Sequence, residues 1–347
     1  MIEGEQSLAE ETARESGLTL SVVVINYGTA ELTIQCLESL APEMEGLAAA
    51  GVRAGAVVVD NASPDDSADR IETAIAERGW EGAGAAGGRG WARLVRSPVN
   101  GGFSAGNNVG IKAQEAEFYL LLNSDTIVRP GALAELLRAA KARPRAGIIG
   151  PRLTWPDGRA QGSAFRARRP VSELVRAAGT GPVTALVRAL VGEVESTLPI
   201  GDEPIEAEWV SFACAMIRRE VVERIGPLDE TYFMYFEDMD YCVMAREARF
   251  EVVHWPAAKV VHLRGGTSPV KEATAARKRR PEYFYRSRTW YFVKHYRRLG
   301  LWRANSFWWA GRMVAGLRQI FGRPAGSCKG EWRDIWIGAW RRDERSA

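Results

Sequence analysis

The 347-residue sequence has few of the residues and motifs that mark several large protein classes. Its four cysteines are far apart and form no Cys-x-x-Cys pair, so neither a zinc ribbon nor a disulfide framework is indicated and a reducing cytoplasm fits best. No stretch approaches the roughly 18 apolar residues that a membrane-spanning helix needs. No Walker A, His-Glu-x-x-His or Gly-x-Ser-x-Gly motif occurs, which argues against P-loop enzymes, zincins and α/β-hydrolases. The search for chemistry therefore narrows to carboxylates.

Charge is distributed unevenly along a chain of otherwise ordinary globular composition. Residues 271–347 carry 19 Lys and Arg against 6 Asp and Glu, a net charge of +13, whereas residues 1–270 have a net charge of −10. Residues 1–17 contain five glutamates and no basic segment that leads into an apolar core. We expect a flexible acidic tail there and no secretory signal.

Apolar runs alternate with helical patterns over the first 150 residues. The runs at residues 20–26 and 56–60 are rich in valine and predict buried strands, and Ser63-Pro64 predicts the start of a helix. Further strands are predicted at residues 93–96, 117–122 and 146–150. Strands that are apolar throughout and alternate with helices predict an α/β fold with a mostly parallel sheet covered on both faces.

The second part of the chain has a weaker pattern. Residues 151–208 contain many Gly, Pro and Arg residues; one helix is predicted at residues 171–190, and no chemistry can be assigned to this stretch. A strand pair is predicted around residues 250–253 and 259–263.

Polar residues stand where the predicted strands end, which is where ligands bind in parallel sheets. Asp60 ends a buried strand, where its carboxylate could accept the N3 hydrogen of uracil or thymine; alternatively it only turns the chain. Residues 100–108 place glycines and amides at a helix start, which favours an anion; alternatively they form a Gly-rich turn with Ser104 as the cap. Asn123-Ser124-Asp125 could supply oxygen ligands to a divalent cation, or simply turn the chain.

Three carboxylates, Glu237, Asp238 and Asp240, crowd into four residues behind the aromatic run 232–236. Acids favour a helix N-terminus, which is the alternative explanation of this cluster. Repulsion between them in a partly apolar pocket would raise the pKa of at least one, which suits a general base. His262 ends a short predicted strand and could turn toward a metal or a phosphate, although a lone histidine is more often structural.

Five segments resemble, in order, the inverting family-2 glycosyltransferases with the GT-A fold, in particular a rhamnosyltransferase-like branch of bacterial cell-surface polysaccharide synthesis. The matching segments are residues 21–27, 59–63, 100–108, 122–126 and 236–240, within residues 20–265, about 70 % of the chain. The resemblance implies a GT-A catalytic domain at residues 18–268, with a nucleotide half at about 18–150 and an acceptor half at about 151–268.

The resemblance also implies a role for individual residues. Asp238 matches the catalytic base, next to Glu237, and Asp125 with His262 would hold Mg²⁺ or Mn²⁺. Trp209 and Asp240 would contact the acceptor. Asn123 departs from the family pattern, because many relatives have the first Asp of a D-x-D motif there. The implied nucleotide contacts are Asn26, Tyr27, Asp60, Asn100, Gly106, Asn107, Asn123 and Ser124.

The implied reaction is metal-dependent transfer of a sugar, with rhamnose favoured, from a dTDP- or UDP-sugar. The implied acceptor is a hydroxyl of a polyprenyl-diphosphate-linked or polysaccharide glycan. The alternative is a non-catalytic protein, either a nucleotide-sugar-binding protein or a membrane-tethered scaffold, in which Asn123 reflects a lost metal site. Metal-dependent hydrolysis of the donor would separate the two.

Residues 269–347 form a basic, tryptophan-rich segment that we expect to be helical. Seven of the twelve tryptophans lie in the last 58 residues. An apolar helix face is formed by Trp302, Ser306, Trp309, Met313, Leu317 and Ile320. Tryptophan and arginine on one helix predict docking on an anionic membrane, at the cytoplasmic face of the plasma membrane. The alternatives are packing on the catalytic domain or in a homodimer; a nucleic-acid partner for the basic cluster 277–280 is the weaker interpretation, and none is expected.

Overall fold

The computed structural model describes residues 18–84, 90–194, 197–199, 201–263, 269–322 and 326–340. The predicted acidic tail, residues 1–17, lies outside the described residues. So do residues 264–268 and 341–347, which end the two predicted domains.

A nine-stranded sheet forms the centre of the described chain, with a separate two-stranded sheet beside it. The strands are β1 (Leu18–Asn26), β2 (Ala54–Asp60), β3 (Ala92–Arg96), β4 (Ala116–Asn123), β5 (Thr126–Val128), β6 (Ala146–Thr154), β7 (Ala164–Phe165), β8 (Ile205–Glu206), β9 (Trp209–Val210), β10 (Cys214–Arg218) and β11 (Glu251–His262). The main sheet has the order β3-β2-β1-β4-β10-β6-β11-β5, with β8 paired to β11. Strands β7 and β9 form the small sheet.

The sheet is parallel around β1, which pairs with β2 and β4, and β2 pairs in parallel with β3. Strand β10 is antiparallel to both of its neighbours, β4 and β6. Strand β11 is parallel to β6 and antiparallel to β5 and β8. The predicted mixed α/β sheet is therefore confirmed.

Helices cover both faces of the sheet. They are α1 (Ala30–Ala49), α2 (Ser67–Glu77), α3 (Gly102–Ala113), α4 (Ala132–Ala142), α5 (Ser172–Ala178), α6 (Gly181–Val191), α7 (Arg219–Ile225), α8 (Glu237–Glu247), α9 (Pro269–Ala275), α10 (Glu282–Ile320) and α11 (Glu331–Asp334). One core lies between the sheet and α1, α2 and α4. A second lies between the opposite face and α3, α7 and α8.

Two predicted element boundaries are wrong, for identifiable backbone reasons. The predicted helix at residues 171–190 is two helices, α5 and α6, because Gly179 adopts a left-handed conformation (φ 55°) between them. The predicted strand pair at residues 250–253 and 259–263 is the single long strand β11. Its register is irregular between Trp255 and Lys259, where Pro256 has no N–H to donate to the sheet.

Helix α10 packs on the part of the chain that contains the main sheet, through a third apolar core. This core joins Tyr232, Phe236 and Met239 to Tyr291 and Phe292. Helix α10 is broken at Arg297, whose backbone is left-handed (φ 58°). The C-terminal helices are therefore part of one packed structure.

The apolar face predicted from residue 302 to residue 320 points away from this core. Its large apolar side chains are exposed: Trp302, Trp309, Met313, Leu317 and Ile320. The face that packs inward is made instead by Leu301, Ala304, Asn305, Trp308, Gly311 and Ala315. Within the described ranges, none of the helices combines the length and the apolar character needed to cross a membrane.

Replacing Tyr291 by alanine should destabilise the whole protein. The ring is buried against Phe236 and its hydroxyl donates to the carbonyl of Arg168. We expect Tyr291→Ala to lower the free energy of unfolding by about 3–5 kcal/mol, as for other buried aromatic rings. Chemical denaturation measures the loss, and Leu299→Ala, at a side chain that is 61 % exposed, is the control with little effect. Two separate unfolding transitions, with only one affected, would contradict a shared core.

Candidate functional site

The carboxyl ends of the parallel strands bring the predicted polar residues to one edge of the sheet. The register places Asn26 of β1 opposite Asp60 of β2. On the other side of β1, Ile25 lies opposite Asn123 of β4. Residues from three separate parts of the sequence thus line one edge.

Asp60 is held by a network of donors at the end of β2. Its carboxylate accepts from the Asn26 amide at 2.7 Å, from the Ser63 hydroxyl at 2.5 Å and from the Ser63 N–H at 3.1 Å. Asn26 is fully buried, and its carbonyl oxygen accepts from Thr29 and Thr33 at the start of α1. Asn26 therefore orients Asp60 from its buried side. Tyr27, the next residue, is half exposed.

The predicted helix start at Ser63 is wrong, because α2 begins at Ser67. The Ser63 hydroxyl instead bridges three groups, since it also accepts from the Asn26 amide and from the Gly28 N–H. Ser63 is thus part of the Asp60 network.

The glycine-rich segment around Asn100 packs tightly at the start of α3. The Asn100 side-chain oxygen accepts from the Gly102 N–H and from the Asn61 amide, both at 3.0 Å. Gly106 packs against Ile25, and the Asn107 amide donates back to the carbonyl of Phe103. Both of these residues are buried in α3, so their implied nucleotide contacts stay predictions.

Ser104, the alternative helix cap, does not cap this helix. It lies inside α3, fully buried, and its hydroxyl has no hydrogen-bond partner among the described residues. The helix N-cap is Gly101.

The structure brings Asp125 and His262 together, although 137 positions separate them in sequence. Strand β5 pairs with the end of β11, so Thr126 lies opposite His262. The His262 Nε2 atom is 3.3 Å from an Asp125 carboxylate oxygen. The chain around them is fixed by the Leu263 N–H, which donates to the Asp125 carbonyl, and by the Gln161 amide, which donates to the His262 carbonyl.

Asp125 and His262 fit two neighbouring ligands of a divalent cation. Adjacent ligands of an octahedral cation lie about 3 Å apart, close to the observed 3.3 Å. The Nδ1 atom of His262 is buried and has no hydrogen-bond partner among the described residues. No group of three His, Cys, Asp or Glu residues suited to a metal occurs in the described part of the chain. Such a cation would therefore need substrate or water oxygens as its remaining ligands.

A strained turn presents Glu237 and Asp238 at the start of α8. Tyr235 and Phe236 both have left-handed backbones, with φ of 70° and 74°. This conformation is unusual for bulky residues and costs roughly 1–3 kcal/mol at each position. The two rings are held by α10, since Tyr235 stacks with Tyr283 and Phe236 packs against Phe284.

The two acids at this turn have different surroundings. Burial raises the pKa of Asp238 to about 6, although N–H groups of Met239 and Phe212 and the Arg168 charge oppose the shift. Burial, followed by the Asp238 charge, raises the pKa of Glu237 well above its usual value, and one Glu237 oxygen has no hydrogen-bond partner. Asp238 is more exposed than Glu237. It is therefore the acid better placed to exchange a proton with a ligand.

Two backbone links connect this turn to the edge that carries Asp60 and Asp125. The Phe103 N–H at the start of α3 donates to the carbonyl of Phe233 at 2.7 Å. The Asn123 N–H donates to the carbonyl of Ala213, next to Phe212, whose N–H binds the Asp238 carboxylate. These links connect the turn before α8 to the ends of β4 and of the segment before α3.

Trp209 lies in the small sheet, partly exposed. Its ring stacks on Phe165 at 4.1 Å, and its indole N–H donates to the carbonyl of Arg166. Its implied contact with an acceptor stays a prediction.

Asp240 lies at the contact between α8 and α10. Its buried carboxylate accepts from Lys294 at 2.8 Å, from His295 at 2.7 Å and from Tyr232 at 3.1 Å. Asp240 thus joins α8 to α10, and its implied contact with an acceptor stays a prediction.

Arg168 is the residue near the site that the sequence reasoning missed. Its guanidinium lies over the Phe236 ring at 4.9 Å, next to Glu237 and Asp238. The only local signal is the arginine-rich segment 166–169, in a stretch without a clear periodic pattern.

Comparison with known proteins points to one family. The family model of Glycosyl transferase family 2 matches residues 21–226, more than half of the chain. The N-acetylglucosaminyl-diphospho-decaprenol L-rhamnosyltransferase of Mycobacterium tuberculosis is 30 % identical over 198 residues, which cover 55 % of this chain and 59 % of that protein. The low-salt glycan biosynthesis hexosyltransferase Agl10 of Haloferax volcanii is 26 % identical over 252 residues, 70 % of this chain and 66 % of that protein. The matches thus span less than two thirds of either relative.

The fold has counterparts among solved structures. The crystal structure of GalNAc-T7 with UDP, GalNAc and Mn²⁺ superposes with a TM-score of 0.52 at 14 % identity. The match covers 92 % of this chain and 54 % of that one. At this identity the likeness establishes the fold, which is that of GT-A glycosyltransferases.

Proposed function

The chain belongs to glycosyl transferase family 2, and we propose that it transfers a sugar, preferably rhamnose, from a dTDP- or UDP-sugar to a hydroxyl group with inversion. The proposed acceptor is a lipid-linked or polysaccharide glycan of the cell surface. The observation that carries the proposal is the placement of Asp238, a carboxylate with a raised pKa, beside the edge that holds Asp60 and Asp125.

The donor side rests on Asp60 and its donors. Two of the three hydrogen bonds reach one carboxylate oxygen, so the second oxygen, which accepts only from the Ser63 N–H, has room for one more donor. The N3 hydrogen of uracil or thymine is such a donor. Rhamnose is favoured because the mycobacterial relative is named a rhamnosyltransferase.

The chemical step needs one base and one leaving group. The Asp238 carboxylate removes the proton of the acceptor hydroxyl as the acceptor oxygen bonds to the anomeric carbon of the donor. The bond from that carbon to the diphosphate breaks on the opposite face, and the nucleoside diphosphate leaves with the electron pair. A single displacement inverts the anomeric centre and needs no covalent enzyme intermediate.

Asp125 and His262 are the residues that would hold Mg²⁺ or Mn²⁺. A bound divalent cation supplies charge neutralisation for the diphosphate leaving group. The solved GalNAc-T7 structure, which has the same fold, contains UDP and Mn²⁺. Asn123 lies two positions before Asp125 and offers a neutral oxygen where many relatives have a carboxylate.

The exposed face of α10 supports the proposal of a lipid surface as a partner. Exposed apolar side chains from Trp302 to Ile320 lie on a segment with a net charge of +13. Such a helix fits the headgroup region of an anionic membrane. Each nearby Lys or Arg adds about 1 kcal/mol to the free energy of binding. We place the protein on the cytoplasmic face of the plasma membrane, where a polyprenyl-diphosphate-linked acceptor would lie.

The second candidate is a non-catalytic nucleotide-sugar-binding protein or a membrane-tethered scaffold. Asn123 favours it, because a weakened metal site would slow transfer while leaving base recognition by Asp60 intact. The two functions differ in whether the bound donor is consumed.

Removing the base should abolish transfer without affecting donor binding. We expect Asp238→Asn to lower kcat by about 10²- to 10⁴-fold, the usual contribution of a general base. Asp69→Asn, at an exposed carboxylate on α2, should leave kcat unchanged. Because only ionised Asp238 accepts a proton, the wild-type rate should fall about tenfold per pH unit below about pH 6. Full activity of Asp238→Asn would exclude this residue as the base.

Isothermal titration with UDP, dTDP and GDP, each with and without Mn²⁺, tests the donor site. We expect UDP or dTDP to bind and GDP not to, with Asp60→Asn weakening the binding. Asp125→Asn and His262→Gln should each remove the part of the affinity that depends on Mn²⁺. Absence of binding to all three nucleotides would overturn Asp60 and Asp125 as ligands. Binding of a donor that is never hydrolysed or transferred would favour the scaffold.

Liposome cosedimentation tests the membrane proposal. Ile320→Glu and Leu317→Glu alter side chains that are 77 % and 61 % exposed, so folding should be unaffected. Together they should reduce binding to phosphatidylglycerol vesicles, whereas Val99→Glu, at an exposed residue before α3, should not. Point variants are preferable to truncation, because α10 belongs to the packed core. Unchanged sedimentation would contradict the membrane proposal. Loss of a dimer in size-exclusion chromatography would point to a second copy as the partner of this face.

A further inference from the structure

A cavity of about 250 Å³ lies between α5, with Arg168 just before it, and the C-terminal helices. Six arginines line it: Arg168, Arg176, Arg277, Arg280, Arg288 and Arg312. Only two carboxylates, Glu173 and Glu331, line it with them. The cavity is therefore strongly positive. Its size suits a small charged group rather than a whole nucleotide sugar.

Both carboxylates are already paired with arginines. Glu173 binds Arg288 at 3.0 Å, and Glu331 binds Arg280 at 2.7 Å. Arg168, Arg176 and Arg277 make no ion pair with a carboxylate of the described residues. Burial and the neighbouring Arg176 charge lower the pKa of Arg168 to about 9. The cavity thus carries positive charge that its own residues leave unbalanced.

The groups that line the cavity suit an oxyanion. Tyr285 also lines it, with its ring buried and its hydroxyl beside Arg280. Guanidinium groups around one cavity match the oxygens of a phosphate group, because each offers several N–H donors in a fixed geometry.

The position of the cavity indicates which phosphate it would take. On one side, Arg168 lies over Phe236, next to Glu237 and Asp238. On the other side, Trp308 and Arg312 of α10 line the cavity, while the next residues, Trp309 and Met313, belong to the exposed apolar face. The cavity therefore lies between the candidate base and the surface proposed to meet a membrane.

We propose that this arginine cavity binds the diphosphate group of a lipid-linked sugar acceptor. The proposal rests on the proposed function and adds to it the site of the acceptor's charged group. In such an acceptor the diphosphate separates the sugar from the lipid chain. Asp238, the cavity and the apolar face of α10 follow the same order as the sugar, the diphosphate and the lipid chain. None of the cavity's lining residues belongs to the Asp60 and Asp125 edge, so the site is separate from that of the donor diphosphate.

Farnesyl diphosphate, titrated into the full-length protein in EDTA and saturating UDP or dTDP, tests the proposal. Arg176→Gln and Arg277→Gln change exposed side chains without a carboxylate partner, so folding should be unaffected. Each should weaken farnesyl diphosphate binding by about tenfold, the usual value of a charge-assisted hydrogen bond. Each should also raise the KM for a lipid-linked acceptor and leave the KM for the donor unchanged. Arg303→Gln, at an exposed arginine of α10 outside the cavity, is the matched control.

Three comparison ligands distinguish the sources of phosphate. Farnesol, which has no phosphate, should not bind. Inorganic pyrophosphate should bind, and Arg176→Gln should weaken its affinity by the same factor as that of farnesyl diphosphate. Dihexanoyl phosphatidylglycerol that binds as tightly as farnesyl diphosphate would make the cavity a phospholipid headgroup site and overturn the proposal. Equal affinity of both variants and wild type for farnesyl diphosphate would also overturn it. Failure of the proposed function is seen separately, as loss of UDP or dTDP binding in protein that still binds farnesyl diphosphate.

Discussion

The strained turn at Tyr235 and Phe236 is the constraint on which the site depends. Two bulky residues in left-handed conformations persist only where the surroundings hold them, and here those surroundings are aromatic rings of α10. The turn sets the start of α8 and so the positions of Glu237 and Asp238. The position of the candidate base is therefore fixed by residues that lie about 50 positions later in the sequence.

Buried ion pairs reinforce this dependence. Asp240 is bound by Lys294 and His295, and Glu173 by Arg288, so α8 and α5 are each joined to α10 by charge as well as by packing. Such pairs add little net stability, because desolvation offsets the attraction, but breaking one leaves a buried charge unpaired. We infer that they select one arrangement of α10 on the catalytic part. The C-terminal helices thus position the site and also carry the exposed apolar face.

Local pattern was enough to predict the strands that end at Asn26, Asp60 and Asn123. A continuous apolar run is typical of a strand whose two faces are both buried in a parallel sheet. The resemblance of the ordered motifs to a known family added the prediction that Asp125 and His262 lie together. What could not be predicted depends on contacts between distant segments. Asp240 looks like its neighbours in sequence, yet its carboxylate binds Lys294 of the distant helix α10. The inward face of α10 includes small and polar residues such as Ala304 and Asn305, whereas Trp302, Trp309 and Leu317 face outward.

Contacts between distant segments also determine which arginines of the basic C-terminal segment are available to a ligand. A net charge of +13 suggests a uniformly positive surface, yet Arg279 and Arg280 are paired with Asp334 and Glu331, and Arg288 with Glu173. Those three arginines are used within the fold. Arg277 of this segment lines the arginine cavity together with Arg168 and Arg176 from the preceding part of the chain. Several guanidinium groups around one cavity offer many donors to a single anion, so they favour a specific anion over general attraction to a charged surface. For that reason a cavity beside the candidate base, and not the basic composition as such, connects this segment to an acceptor.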